Sequence, residues 1–349
     1  MIKKLRSVTI LLAIAALMSS AADATAKKGK KALKAEQAIS GQAAHVLWFN
    51  PTDIQHRNLF FGPGGKQNSP TTPFTFIKED LKGSSPKFIV RDQGGVKWKA
   101  KLGVEARPET VASRLVWAVG YFANEDYFVP VLQVENPPAH LHRGQNLVGP
   151  GGTFQNVRLK RYLKEEKKVG QWKWHSNPFS DTRELNGLRV MMAVINNWDV
   201  KDLNNSLYDD SPPDPSGGGR RLIYMVSDLG ASFGSGGHGW TLARSKGDLK
   251  AYRRSKFIRK IRPEYVDFND PTKPPVIFFL NLPEFILQMQ MGWVCHHIPR
   301  ADVQWMGHLL AQLSPDQIRD AFRAAGYSSE EVEGFSSVVE ARIAQLNKL

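Results

Sequence analysis

At 349 residues and 42% hydrophobic composition, the chain is long enough to bury one large core or two smaller ones, which excludes a mostly disordered protein. Its single cysteine, Cys295, excludes an intrachain disulfide framework, so the fold must stand on packing, with Cys295 expected as a small buried hydrophobe. The formal charge of +14 suits an anionic partner such as phosphate, nucleic acid or an acidic surface without choosing among them.

The first 26 residues carry a basic start (Lys3, Lys4, Arg6), an apolar run from Val8 to Met18, and small-residue sites at Ala22-Asp23-Ala24 and Ala24-Thr25-Ala26. The run is shorter than the roughly 20 residues of a membrane span, and no later stretch qualifies. We read residues 1–26 as a cleaved signal peptide rather than an anchor. The mature chain is then a soluble exported protein, periplasmic or secreted, with no transmembrane segment. Cleavage removes three cations and one anion and leaves +12. Residues 27–44 begin KKGKKALKAEQAIS, lysine-rich and without aromatics, and read as a basic disordered tether.

FFGPGGKQ imitates a phosphate loop but lacks the first glycine, which would stand at Phe60, and has Gln67 in place of a hydroxyl residue. It reads as a turn, as does the second GPGG at 149–152. From Pro73, PFTFIKED, KFIVRD and VKWKAKLG alternate apolar and polar residues between LKGSSP and QGG turns, which predicts a three-stranded meander. RPETVASRLVWAVGYF predicts a helix with one buried stripe, Val111, Leu115, Ala118, Val119 and Phe122. YFVPVLQV and FQNVRLKRYL follow as strands. The second half is more helical. TRELNGLRVMMAVINNW is expected behind an Asp181 cap, and residues 314–348 as helices, with SPDQ as a capping box. NSLY and RRLIYMVSD flank DDSPPDPSGGG as a hairpin with an enlarged turn.

Phosphoryl transfer needs few protein parts, because catalysis is mostly positioning and charge neutralisation. The candidate parts occur in chain order. Gly83, Ser84 and Ser85 form a small-residue turn that would let backbone approach a phosphate. Lys97, Lys99 and Lys101 share a strand face, and Lys101, nearest the strand end, is the preferred phosphate lysine, with Lys99 the alternative. Glu109 lies in the first turn of the next helix. Asp199, Lys201 and Asn204 form D-x-K-x-x-N in INNWDVKDLNN between a helix and a strand, and Asp228 follows a buried strand in MVSDLGASFG, 29 residues after Asp199.

In GSSPKFIV with KLG, ETVASRLVWAVGYF, DVKDLN and DLG in place of DFG, the sequence resembles the atypical protein-kinase-like superfamily: the HipA-like, phosphatidylinositol and secretory-pathway kinases. The resemblance covers roughly residues 73–235. It implies an α+β, two-lobed fold, with an antiparallel sheet and one helix in an N-lobe at 45–162 and a mainly helical C-lobe at 163–349. It also implies ATP and Mg²⁺. Gly83, Ser84, Ser85 and Lys101 would contact the phosphates and Glu109 would hold Lys101. Asp199 would act as base or orienter, Lys201 would neutralise the transferred group, and Asn204 and Asp228 would bind the metal. Asn197-Trp198 replaces the usual His-Arg, and no G-x-G-x-x-G is present.

Two other functions stay open at this level: a non-catalytic kinase-fold (pseudokinase) binding protein, and a basic polymer binder using RRSKFIRKIR and KRYLKEEKK, both expected as solvated helix faces. The first of these basic runs would alternatively seat an acidic acceptor; no specific nucleic acid is implied. Cys295-His296-His297, His140 and His142 make a poor zinc set, Asp209, Asp210 and Asp214 lack EF-hand spacing, and there is no G-x-S-x-G.

Overall fold

The computed structural model describes residues 43–83, 85–163, 167–210, 220–236, 245–269 and 291–349. The signal-peptide segment, most of the tether, Ser84 and Asp214 lie outside the described residues.

The predicted meander forms as β2 (Phe74–Glu79), β3 (Lys87–Arg91) and β4 (Lys97–Lys101), followed by helix α1 (Ala106–Ala118) and strands β5 (Asp126–Glu135), β6 (Val148–Gly149) and β7 (Thr153–Arg161). Together they make a six-stranded sheet in the order β4-β3-β2-β5-β7-β6. β4 also pairs with β7, so five of the strands close into a ring. The sheet is not wholly antiparallel as expected: β2 runs parallel to β5, with Phe74 opposite Val134. Closure explains the difference, because a ring hides the edges that an open sheet would leave unpaired. Phe74, Phe88, Trp98, Ala100, Leu132, Phe154 and Leu159 fill it, each at most 2% exposed. Burial of each large side chain is worth about 1.5–3 kcal/mol.

Helix α1 differs from the single buried stripe predicted for it. Only Arg107 and Trp117 escape full burial. Val111, Ala112, Leu115 and Val116 pack into a second, larger apolar core, while Glu109, Thr110, Ser113 and Arg114 are buried on the polar side. That side is tolerated because each group is paired: Thr110 Oγ1 donates to the Ala106 carbonyl at 2.8 Å, and Ser113 and Arg114 both donate to Asp126 on β5.

The second core joins helices α2 (Arg183–Val194), α3 (Leu249–Arg254), α4 (Arg300–Leu310), α5 (Pro315–Arg323) and α6 (Ser329–Leu346). Strand β1 (Ala44–Val46) pairs in parallel with β10 (Arg221–Val226). β10 is antiparallel to β9 (Asn205–Asp209), as the hairpin reading predicts, and β8 (Lys167–Gly170) completes that sheet. β11 (Ile258–Ile261), β12 (Tyr265–Phe268) and β13 (Ile298–Pro299) form a third sheet. The basic runs are therefore not solvated helix faces, and the strand expected over FQNVRLKRYL is present as β7. Residues 160–161 end β7, 167–168 begin β8, and 258–261 are β11, with only Arg253 and Arg254 closing a helix. Asp209 and Asp210 pair with Arg220 and Arg221 across the hairpin. Cys295 is buried, and no described helix is long and apolar enough to cross a membrane.

The expected capping box on α5 is present, with Ser314 and Gln317 exchanging both bonds. α2 is capped by Thr182, whose hydroxyl accepts from the Leu185 amide, and not by Asp181. Asp181 stands one residue earlier at φ 64°, too early for its side chain to serve as N-cap.

Past α1, Gly120 (φ 96°) accepts from the Phe49 amide at 3.0 Å. A Cβ at this position would lie 2.3 Å from the Phe49 carbonyl oxygen. Gly120→Ala is expected to cost about 2 kcal/mol or more through combined φ strain and backbone clash, read as a lower urea midpoint at unchanged slope.

Candidate active site

β4 ends on Lys101, and α1 begins after a four-residue turn, so the lysine and the first helical turn meet across a short span. Lys101 Nζ donates to Glu109 Oε2 at 2.8 Å. It also lies 3.2 Å from Asp228 Oδ1 and 2.5 Å from Glu105 Oε2. The strand thus supplies one cation to carboxylates from the helix cap, the helix and the loop after β10. Lys99, the alternative, pairs instead with Asp80 at 2.9 Å.

Glu109 is 1% exposed and takes a second cation, Arg158 of β7, at 2.8 Å. Arg158 continues to Asp126 at 3.1 Å, and Asp126 accepts from Arg114 at 3.0 Å. The result is a buried chain of alternating charge, Lys101, Glu109, Arg158, Asp126 and Arg114. Such a chain holds only if every member is paired, because one removed partner strands a charge in low dielectric. Burial alone would lower the Lys101 ammonium, but Glu109, Asp228 and Glu105 hold it above the ordinary lysine value. Burial pushes the Glu109 carboxyl up, against the pull of Arg158 and Lys101. Glu105 is also resisted by burial, yet Lys101 and Lys246 bring it down to about 2.

The segment Asp199 to Asn204 closes the other side. Asn204 Nδ2 donates to the Asp199 carbonyl at 2.5 Å, and the Asn204 carbonyl accepts from both the amide (2.9 Å) and the hydroxyl (3.0 Å) of Ser227. These bonds fix the D-x-K-x-x-N turn directly beside Asp228. Lys201 Nζ lies 3.0 Å from Asp199 Oδ1. The approach is off hydrogen-bond geometry, so this buried carboxylate oxygen has no hydrogen-bond donor. A carboxylate oxygen in that state is suited to accept from an incoming hydroxyl.

Of the turn residues, Gly83 stands at φ 68° and Ser85 Oγ donates to Glu105 Oε2 at 3.0 Å, which ties the β2–β3 turn to the same cluster. Lysines from several strands crowd alongside. Lys99 on β4 is the direct cross-strand partner of Lys160 on β7, a like-charge pair that costs stability in a sheet. Burial, with Lys160, Lys99 and Lys82 adding, pushes the Lys168 ammonium down. Lys87 is lowered by burial, with Asp80 opposing and Lys99 and Lys101 reinforcing. These lysines are gathered against their mutual repulsion and the cost of burial.

Two members of the cluster are missing from the sequence reading. Glu105 carries a weak signal, an acid four residues past Lys101 at the mouth of the helix. Arg158 carries a clearer one, a cation between the apolar Val157 and Leu159, all three buried in β7. Glu105, Glu109 and Asp228 place carboxylate oxygens within 4.8 Å of one another, which is a divalent-cation geometry. Both Glu109 oxygens are held by Lys101 and Arg158, however, and Asp228 is the most exposed of the three, its side chain 43% exposed. The donors left for a hard cation are oxygens at Asp228 and on the adjoining Asn204 turn, a set that fits Mg²⁺.

Because the folded-state value of Glu105, about 2, lies below its ordinary 4.5, its contribution to stability is full above 4.5 and is lost as pH falls toward 2. Glu105→Gln is expected to be less stable than wild type by about 3 kcal/mol at neutral pH. Denaturant titration should show the gap closing as acid protonates Glu105 in the wild type.

The chain matches no protein-family model and no curated protein. Among solved structures it is similar to a proinflammatory kinase of Helicobacter pylori, CtkA, at 11% identity and a TM-score of 0.44, over 80% of this chain and 98% of that one.

Proposed function

We propose that the chain is a two-lobed, kinase-like phosphotransferase that moves the terminal phosphoryl group of ATP or a related nucleotide to a hydroxyl of an acceptor, with Mg²⁺. The observation that carries this reading is the meeting of Lys101 with Glu109 and Asp228, with the Asp199–Asn204 turn bonded to Ser227 beside them. Lys101, held charged, binds phosphate oxygens. Glu109 and Arg158 fix its position. Lys201 neutralises the moving phosphoryl.

Asp199 orients the acceptor hydroxyl and takes its proton. The hydroxyl oxygen forms a bond to the terminal phosphorus while the bond from that phosphorus to the bridging oxygen breaks, leaving the nucleoside diphosphate. Asp228 and Asn204 would hold Mg²⁺, which supplies charge neutralisation on the phosphates when bound. The lysines around the cleft favour the same polyanionic ligand. With the N-terminal segment read as an export signal, the reaction belongs to the periplasm or the exterior.

Incubation of the purified chain with ATP and Mg²⁺ is expected to release phosphate or add phosphoryl mass to the chain itself. Asp199→Asn should lower the rate by roughly 10²–10⁴-fold while the protein stays folded. Wild-type protein with neither activity, or an Asp199→Asn rate equal to wild type, would contradict the assignment.

A further inference from the structure

A cavity of about 560 Å³ opens beside the Lys101 cluster and not within it. Its walls come from the turn before α1, the first turn of α1, strands β6 and β7, and the segment leading into α3. Val104, Pro108, Leu147 and the ring of Tyr327 give it an apolar body, and the charged groups lining it, Arg107 and Lys246, are both cations. It is also the end of α1, a helix of 13 residues without a capping side chain, so the positive pole of the helix faces this side.

Tyr327 supplies the second, independent observation. It is 7% exposed, and its hydroxyl has no hydrogen-bond partner among the described residues. A buried phenol oxygen in that state costs stability unless something uses it. The ring lies under the Arg107 guanidinium, 3.8 Å from its centroid. Gly247, at φ 58°, lines the cavity beside this hydroxyl, and an added Cβ there would sit 2.6 Å from it.

The two cations differ in how firmly they are held. Arg107 is tied to the Ala325 and Gly326 carbonyls and to Glu331. Lys246 reaches Glu105 on the other side and packs over Trp198. Lys246 thus stands between Glu105 and the cavity, and Glu105 is one of the three carboxylates on Lys101.

We propose that this cavity binds a small amphiphilic monoanion, with its acidic head at Lys246 on the Tyr327 side and its apolar body against Val104, Pro108 and Leu147. A volume near 560 Å³ fits a ligand of metabolite size. Occupancy draws Lys246 from Glu105 and so reaches the charge cluster around Lys101 without touching it. The binding itself does not depend on the phosphoryl-transfer reading.

Anilinonaphthalene sulfonate, an apolar body with one sulfonate, serves as the probe for the full chain. Fluorescence titration is expected to show saturable one-to-one binding. Gln155→Trp, at an exposed position on the cavity wall, should abolish it by filling the space, and Lys246→Met should weaken it about tenfold. Unfolding curves of both variants establish that they are folded before titration. Absence of saturable binding, or binding unaffected by either substitution, overturns the proposal.

Discussion

The ion pair between Lys101 and Glu109 is the constraint on which the rest depends. A lysine 5% exposed and a glutamate 1% exposed are tolerable together only if neither is left alone. The remaining structure supplies the partners. Arg158 reaches Glu109 from β7, Asp126 on β5 takes Arg158, and Arg114 on the polar side of α1 closes the chain. Four elements of the first half are thereby locked in relative position by charge as well as by packing. The strand ring follows from the same need, since β4 must lie beside β7 for Lys101 and Arg158 to share one carboxylate.

The network also makes the site deformable at one edge. Glu109 and Asp126 are enclosed, whereas Asp228 is 43% and Glu105 17% exposed at their side chains. Ligands compete most readily at those two outer carboxylates. In the proposed function Lys101 exchanges its contact with Asp228 for a phosphate oxygen while Glu109 keeps it in place. In the proposed function the Asp199 carboxylate, ion-paired with Lys201, and the crowded lysines would meet an incoming hydroxyl and a polyphosphate.

Much of this was legible in the sequence because it rests on local signals. Period-two alternation marks β2, β3 and β4, Ser314 and Gln317 mark a helix start, and the hairpin of β9 and β10 stands out between its turn residues. Lys101, Glu109, Asp199, Asn204 and Asp228 are found by order and spacing, and their side chains or turns are in contact as that order suggests. What escaped is long-range. Closure of β4 on β7 and the parallel β2–β5 pairing join distant segments, and no local pattern encodes them. The polar side of α1 looked solvated because Thr110, Ser113 and Arg114 are ordinary surface residues unless Asp126 is known to face them. Thr182 displaced Asp181 as a cap through a one-residue difference in backbone conformation. The basic runs were misread as helix because lysine and arginine content says little about whether a segment is extended or helical.

In the proposed function Lys101 and Asp228 together form a nucleotide-phosphate and metal site. Isothermal calorimetry with a non-hydrolysable ATP analogue tests it most directly, with and without Mg²⁺, on wild type and on Asp228→Ala. The account predicts Mg²⁺-dependent binding by the wild type and loss of that dependence in the variant. No binding by folded wild type, or the same Mg²⁺ dependence in both proteins, would contradict it.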